Sequence, residues 1–310
     1  MKKVRILVAT ALTFVFCTLV IISCQKAASN TGSTATDVVE AATLGASATS
    51  DEQANNIFNG VVDNVVGVNS DAGLGNGIGV FSAANPKGGG KTGSSGAIVN
   101  GMDSTVIPTC YSVTIKPATP GVYPKTITVD FGGGCTGRDG RTRKGKIITV
   151  YSGRLKKAGS TATTTFDGYY VDTVHVEGTH TITNNSTGGN LIFTLALQNG
   201  KLSTPSGNYV AVNRTHTWTQ AAGDTSKPAE VVFNITGNSN GTIQASGVTW
   251  QWSTDITQAL VRNFSCRWIV SGTENITHGT KTGVLDFGAG TCDNEATLTV
   301  GTKVYNITLR

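Results

Sequence analysis

The sequence lacks the short motifs that announce most exported enzymes. There is no Gly-x-Ser-x-Gly elbow, and no Ser/His/Asp set assembles around a nucleophile. Histidine is scarce, with four in 310 residues. Six cysteines occur without the close pairs of a zinc site, so neither structural zinc nor any other metal or cofactor is expected. Gly90-Lys91-Thr92 matches the end of a phosphate loop, but Asn85 stands where that loop needs its first glycine, and the segment reads as linker. A basic excess is missing as well. Three of the 24 Lys+Arg fall within the first five residues, which leaves about +2 over the rest of the chain. So small a surplus excludes a nucleic-acid partner.

What is present begins at the N-terminus. Lys2, Lys3 and Arg5 precede an uncharged apolar run from Ile6 to Ile22, then Ser23-Cys24-Gln25-Lys26. A basic start, an apolar stretch and a small residue at its end form an export signal, residues 1–23. Ile21-Ile22-Ser23-Cys24 resembles the lipobox of bacterial lipoproteins, so Cys24 is the expected lipid attachment site and mature N-terminus. Two or more acyl chains hold a protein stably on a membrane. Residues 24–50 are rich in Ala, Ser and Thr and read as a flexible tether.

One helix is expected over 51–67. Ser50 and Gln53 fit a capping box, and Ala54, Ile57, Phe58, Val61, Val62 and Val65 fall on one face that must dock on something. A Gly-rich linker covers 68–101. From about residue 102 the apolar period becomes two, as in Leu191-Phe193-Leu195-Leu197 and Val231-Phe233-Ile235. Such alternation marks half-buried antiparallel strands. Asp167-Gly168, Asn199-Gly200 and Asn240-Gly241 are the expected hairpin turns. The fold class is therefore all-β, a large antiparallel sandwich or barrel-like sheet over 102–310, with ten or more strands and one short N-terminal helix.

The strand region carries an internal repeat, at about 110–155 and 266–310. Cys110 is followed by Asp130-Phe131-Gly132 and Cys135, and Cys266 by Asp286-Phe287-Gly288 and Cys292. In an oxidising compartment the expected disulfides are Cys110–Cys135 and Cys266–Cys292. Each stabilises by about 3 kcal/mol in the chain-entropy model.

Three stretches resemble a family of uncharacterised Bacteroidota lipoproteins: DFGGGCTGRDGRTRKGKI (130–147), Phe166 to Gly178, and Cys266 to Arg310 with CRWIVSGT and LDFGAGTCDN. The resemblance covers roughly the last two thirds of the chain. It implies an envelope location and supplies no activity. Surface-exposed lipoproteins of this phylum tend to carry acids just after the lipidated cysteine. Here Gln25-Lys26-Ala27-Ala28 follow, with no acid before Asp37, which favours the periplasmic face of the outer membrane.

Candidate chemistry is sparse. His175 and Glu177 share one strand face and His180 points to the other; a third metal ligand is missing, and the pair reads as a solvated face. Asp130 and Asp286 can be set against each other as a glycosidase pair. The alternative is that each caps its own glycine turn. A basic segment holds Arg138, Arg141, Arg143, Lys144, Lys146, Arg154, Lys156 and Lys157. It suits a polyanion, or protects an edge strand. Trp218 shares a face with Arg214 and His216 and reads as a sugar-stacking platform. Trp250 and Trp252 read as core, and Trp268 as packing on the Cys266 disulfide. The ligand-binding candidates are thus Arg141, Arg143, Lys144, Lys156 and Trp218. The functional expectation is a non-catalytic, membrane-anchored envelope lipoprotein with a polysaccharide or envelope protein as partner. Glycan hydrolysis by Asp130 and Asp286 stands as a minor alternative.

Overall fold

The computed structural model describes residues 35–67, 110–137, 139–227 and 230–309. The signal, Cys24, the glycine-rich linker with Gly90-Lys91-Thr92, and Arg138 lie outside them. One helix, α1 (Ala35–Val66), precedes fourteen strands. These are β1 (Ser112–Lys116), β2 (Lys125–Asp130), β3 (Cys135–Thr136), β4 (Thr142–Tyr151), β5 (Thr161–Val171), β6 (Val174–Asn184) and β7 (Ile192–Ser203). The second half comprises β8 (Tyr209–Ala222), β9 (Val232–Ala245), β10 (Val248–Asn263), β11 (Ser271–His278), β12 (Lys281–Ala289), β13 (Glu295–Val300) and β14 (Lys303–Thr308). All pairings are antiparallel and run in chain order, with the short β3 set beside β4.

This meander wraps around α1. The helix reaches strands across most of the sheet: Tyr151 on β4 donates to the Val65 carbonyl at 2.9 Å, Phe58 meets Phe166 of β5 edge-on, and Trp250 of β10 donates to Ser47 Oγ at 3.0 Å. Arg262 pairs with Asp63 at 2.9 Å, and Lys281 of β12 with Glu40 at 3.0 Å. Gly45 lies under Ile307 of β14. From Ala41 to Gly67 no residue of α1 is exposed. The architecture is a barrel-like sheet around an axial helix, not a sandwich. Among the described residues no helix is long and apolar enough to cross a membrane.

The helix starts sixteen residues before the expected 51, so Ala35–Ser50 is not tether. The Ala, Ser and Thr that mimic a tether are what a helix needs inside a tight sheet. Ala41, Gly45 and Ala48 let strands approach. The hydroxyls of Thr43, Ser47 and Thr49 bond the carbonyls four residues back at 2.8–3.0 Å, so they enter the interior already satisfied. Ser50 and Gln53 lie mid-helix and form no cap. The helix stops at Gly67, whose φ of 81° is open to glycine and whose N–H returns to Asp63 at 3.1 Å.

The three expected hairpin turns are also corrected. Asp167-Gly168, Asn199-Gly200 and Asn240-Gly241 all lie inside strands. The first two mark β-bulges, with register shifts at Lys144/Lys146 and Leu197/Gly200. Gly145 (φ 77°) has no room for a Cβ, which would meet the Gly168 carbonyl oxygen at 1.9 Å. Gly241 lets Trp252 lie across its backbone. The true turns are elsewhere, as at Ser246-Gly247, both in the left-handed region.

Both disulfides form as paired in the repeat, and each closes a hairpin, β1–β2 and β11–β12. Asp130 Oδ1 accepts from Gly132 N–H at 2.8 Å, and Asp286 Oδ1 from Gly288 N–H at 2.8 Å. Asp130 caps the turn that follows β2, whereas Asp286 lies inside β12 and holds a β-bulge there, where the register to β11 shifts between Ser271 and Thr273.

Candidate functional site

Strand alternation should make the inner face of the sheet apolar, yet one row across it is polar. The register runs Thr149, Thr164, His180, Leu197, Arg214, Ser239 and Thr254 from β4 to β10, all buried. Glu274 on β11 joins at the far side, and Asp51, Glu52 and Asn55 face the row from one turn of α1. A polar residue from each of several strands thus meets the helix at mid-height.

Arg214 anchors the group. Its Nη2 lies 2.6 Å from Asp51 Oδ1 and its Nε donates to Ser239 Oγ at 2.9 Å. Asn55 donates to Glu52 Oε1. Ligand oxygens of Asp51, Glu52 and Glu274 all lie within 4.8 Å of one another. Asp51 Oδ2 and Glu274 Oε1 are buried without a hydrogen-bond partner, as are His180 Nδ1 and His216 Nε2. Leaving a buried polar atom unpaired costs about 1–3 kcal/mol.

The titration behaviour follows from this crowding. Burial outweighs the Arg214 ion pair and raises the Asp51 carboxyl. Burial, then the neighbouring Asp51 charge, pushes Glu52 up to about 8. Burial followed by Asp51 and Glu52 raises Glu274 well above the usual range. Burial and the Arg214 charge hold His180 down at about 4 and keep His216 well below its ordinary value, so both are neutral. A cavity of about 10 Å³, room for a single water, lies among Phe58, His180, Arg214, His216 and Trp218.

The expected binding residues fare differently. Trp218 is 2% exposed, packed on Phe233 and lying beneath the Arg262 guanidinium at 5.2 Å, so it is core and no stacking platform. Its face with Arg214 and His216 is the inner one; their polarity belongs to the buried row. Arg143 is held by Asp139 through two bonds of 2.6 and 3.0 Å and is mostly buried. Lys144 is exposed, with its ammonium 4.0 Å over the Tyr170 ring. Arg141 is half-buried, and Lys156 sits exposed in the β4–β5 turn. Arg143 and that turn are at opposite ends of β4, about 27 Å apart at ~3.4 Å per residue, so the basic segment forms two clusters and no single patch. The edge-strand reading fails too, because β4 pairs on both sides.

The solvated His175–Glu177 face and the core position of Trp252 hold. His175 and Glu177 form a half-exposed pair at 3.5 Å on the outer face, with His180 inside. Trp252 is core and Trp250 half-buried against the helix. Trp268 joins the core in part, with Arg267 over its ring.

The carboxylate group was missed because it is scattered in sequence. The available signal was a charge at a core-phase position: Arg214 follows Val210 and Val212, and Glu274 precedes Ile276 at the same period. Comparison with protein-family models, curated proteins and solved structures returns no match. The functional reading therefore rests on the residues.

Proposed function

We propose that this protein is a non-catalytic module of the bacterial cell envelope, lipid-anchored through Cys24 and facing the periplasm from the outer membrane, with a structural or binding role. One observation carries the non-catalytic reading: the space inside the sheet, where a barrel of this kind would hold a ligand, is filled by α1. Asp130 and Asp286 support it, each committing an oxygen to the backbone N–H two residues on. The polar outer positions of β7–β9, among them Thr194, Gln198, Asn213, Thr215, Asn238 and Asn240, suit an aqueous compartment. A lipid-facing barrel carries an apolar band there.

A glycan partner is the second reading, moved from Trp218 to this outer face. A shallow depression of about 290 Å³ is lined by Gln198, Asn213, Asn238 and Asn240. Amide side chains both donate and accept, which matches sugar hydroxyls. The test is a binding screen of the chain from residue 24, with Cys24→Ser, against neutral and acidic polysaccharides over a salt series. Salt-insensitive binding to a neutral polysaccharide, lost in Asn213→Ala with Asn238→Ala, supports a glycan partner. Binding only to acidic polysaccharides, steeply weakened by salt, moves the ligand to the exposed lysines. No binding favours the structural role, and release of reducing ends from any substrate refutes the non-catalytic reading.

A further inference from the structure

We propose that Asp51, Glu52 and Glu274 form a binding site for one hard divalent cation, calcium by preference. The three carboxylates come from two elements far apart in the chain, the helix and β11, and their ligand oxygens converge within 4.8 Å. Asp51 and Glu274 each keep one buried carboxylate oxygen, Oδ2 and Oε1, without a hydrogen-bond partner. Glu274 is 1% exposed and has no ion-pair partner among the described residues; the Arg214 charge that reaches it is already engaged by Asp51.

Charge counting identifies the occupant. A bound cation would hold all three carboxylates in their charged form, and against the single Arg214 guanidinium they then leave a deficit of two, with His180 and His216 present as neutral rings. A divalent ion closes this balance; a monovalent ion leaves it open. The donor set is all oxygen, which selects hard cations over zinc or copper. Three carboxylates offer up to six oxygens, enough for calcium's six to eight ligands with little water. Magnesium retains several waters, and all three carboxylates here are buried to 2% exposure or less. The engaged oxygens, Asp51 Oδ1 and Glu52 Oε1, keep a second lone pair for a metal.

A bound ion would rivet the middle of α1 to β11, beside the Arg214–Asp51 pair. With all three carboxylates buried in the finished sheet, the ion would enter as the sheet closes during folding.

The experiment uses the purified full chain. Metal content is measured by elemental mass spectrometry, and thermal unfolding is followed in EDTA and in saturating calcium, magnesium or manganese after unfolding and refolding in each. The expected result is about one equivalent of calcium per chain and a midpoint raised by roughly 5–10 °C at a hundredfold excess over Kd. Glu274→Gln should lose the calcium response and, in EDTA, unfold at a higher temperature than the parent, because the cost of burying an unpartnered carboxyl is gone. Should that variant fail to fold, Glu52→Gln is read in the same way. No bound divalent metal together with no cation-dependent midpoint overturns the proposal. So does a calcium response that survives both substitutions.

Discussion

Replacing Arg214 by methionine removes the one cationic side chain paired within the carboxylate cluster while keeping an apolar stem of similar length. Asp51 then loses a 2.6 Å partner at a site where it is 1% exposed, and Ser239 loses its donor. Breaking a buried pair by removing one member costs about 3–5 kcal/mol, since the surviving charge has no water to turn to. At about 2–4 °C per kcal/mol for a domain of this size, the midpoint should fall by roughly 6–20 °C. Urea unfolding followed by tryptophan fluorescence measures the loss directly, because Trp218 and Trp252 are both buried near the cluster. Adding Asp51→Asn to Arg214→Met should recover half or more, as the orphaned charge is removed with its partner. A loss under about 1 kcal/mol, the size of an exposed ion pair, would refute the reasoning.

Further outcomes follow from the same structure. In chelator, stability should fall as pH rises from about 6.5 to 8. Glu52 titrates near 8 when folded, so its contribution is full below its ordinary pKa and is lost as pH climbs through the folded value. One such carboxyl contributes about 1.4 kcal/mol per pH unit. Below 6.5 His180 opposes it, since a folded pKa of about 4 makes stability increase with pH up to the unfolded value. Glu52→Gln should flatten the upper limb in urea titrations, and an unchanged slope would contradict the assignment. Asp130→Ala and Asp286→Ala should each cost about 1 kcal/mol through loss of a local hydrogen bond, seen as a lower urea midpoint; equal stability would remove their structural role. Gly145→Ala should be severely destabilising because its Cβ meets the Gly168 carbonyl, whereas Gly133→Ala, with open space around it, should be near neutral. Equal midpoints for these two variants would contradict the bulge.

Much of the sheet was legible in the sequence. Period-two alternation placed Phe193, Leu195, Ile235 and Trp252 inside, where they are found. The duplicated Cys…Asp-Phe-Gly…Cys spacing gave both disulfides and both local aspartate-to-glycine bonds, though only Asp130 caps a turn and Asp286 sits at a bulge in β12. Three features escaped for physical reasons. Ser and Thr in the first half of α1 look like solvent-seeking residues, but their hydroxyls can be satisfied by the helix's own carbonyls. Asn-Gly and Asp-Gly pairs supply the same left-handed conformations to a bulge in a long strand as to a hairpin turn. The inner polar row could not be read from any one strand, because each contributes a single residue and only the register aligns them. Trp218 was misplaced for the same reason: Arg214 and His216 beside it seemed to mark a wet face, when Arg214 pairs with Asp51 on the helix and His216 is buried as a neutral ring.

The axial position of α1 is what the filled interior, the carboxylate cluster and the functional reading all depend on. Amide hydrogen exchange across residues 41–66 tests it most directly. The account predicts protection throughout this span equal to that of the central strands β8–β10, with exchange only through global unfolding. Rapid exchange of Ala41–Ser50, or of the whole helix while the sheet stays protected, would contradict it.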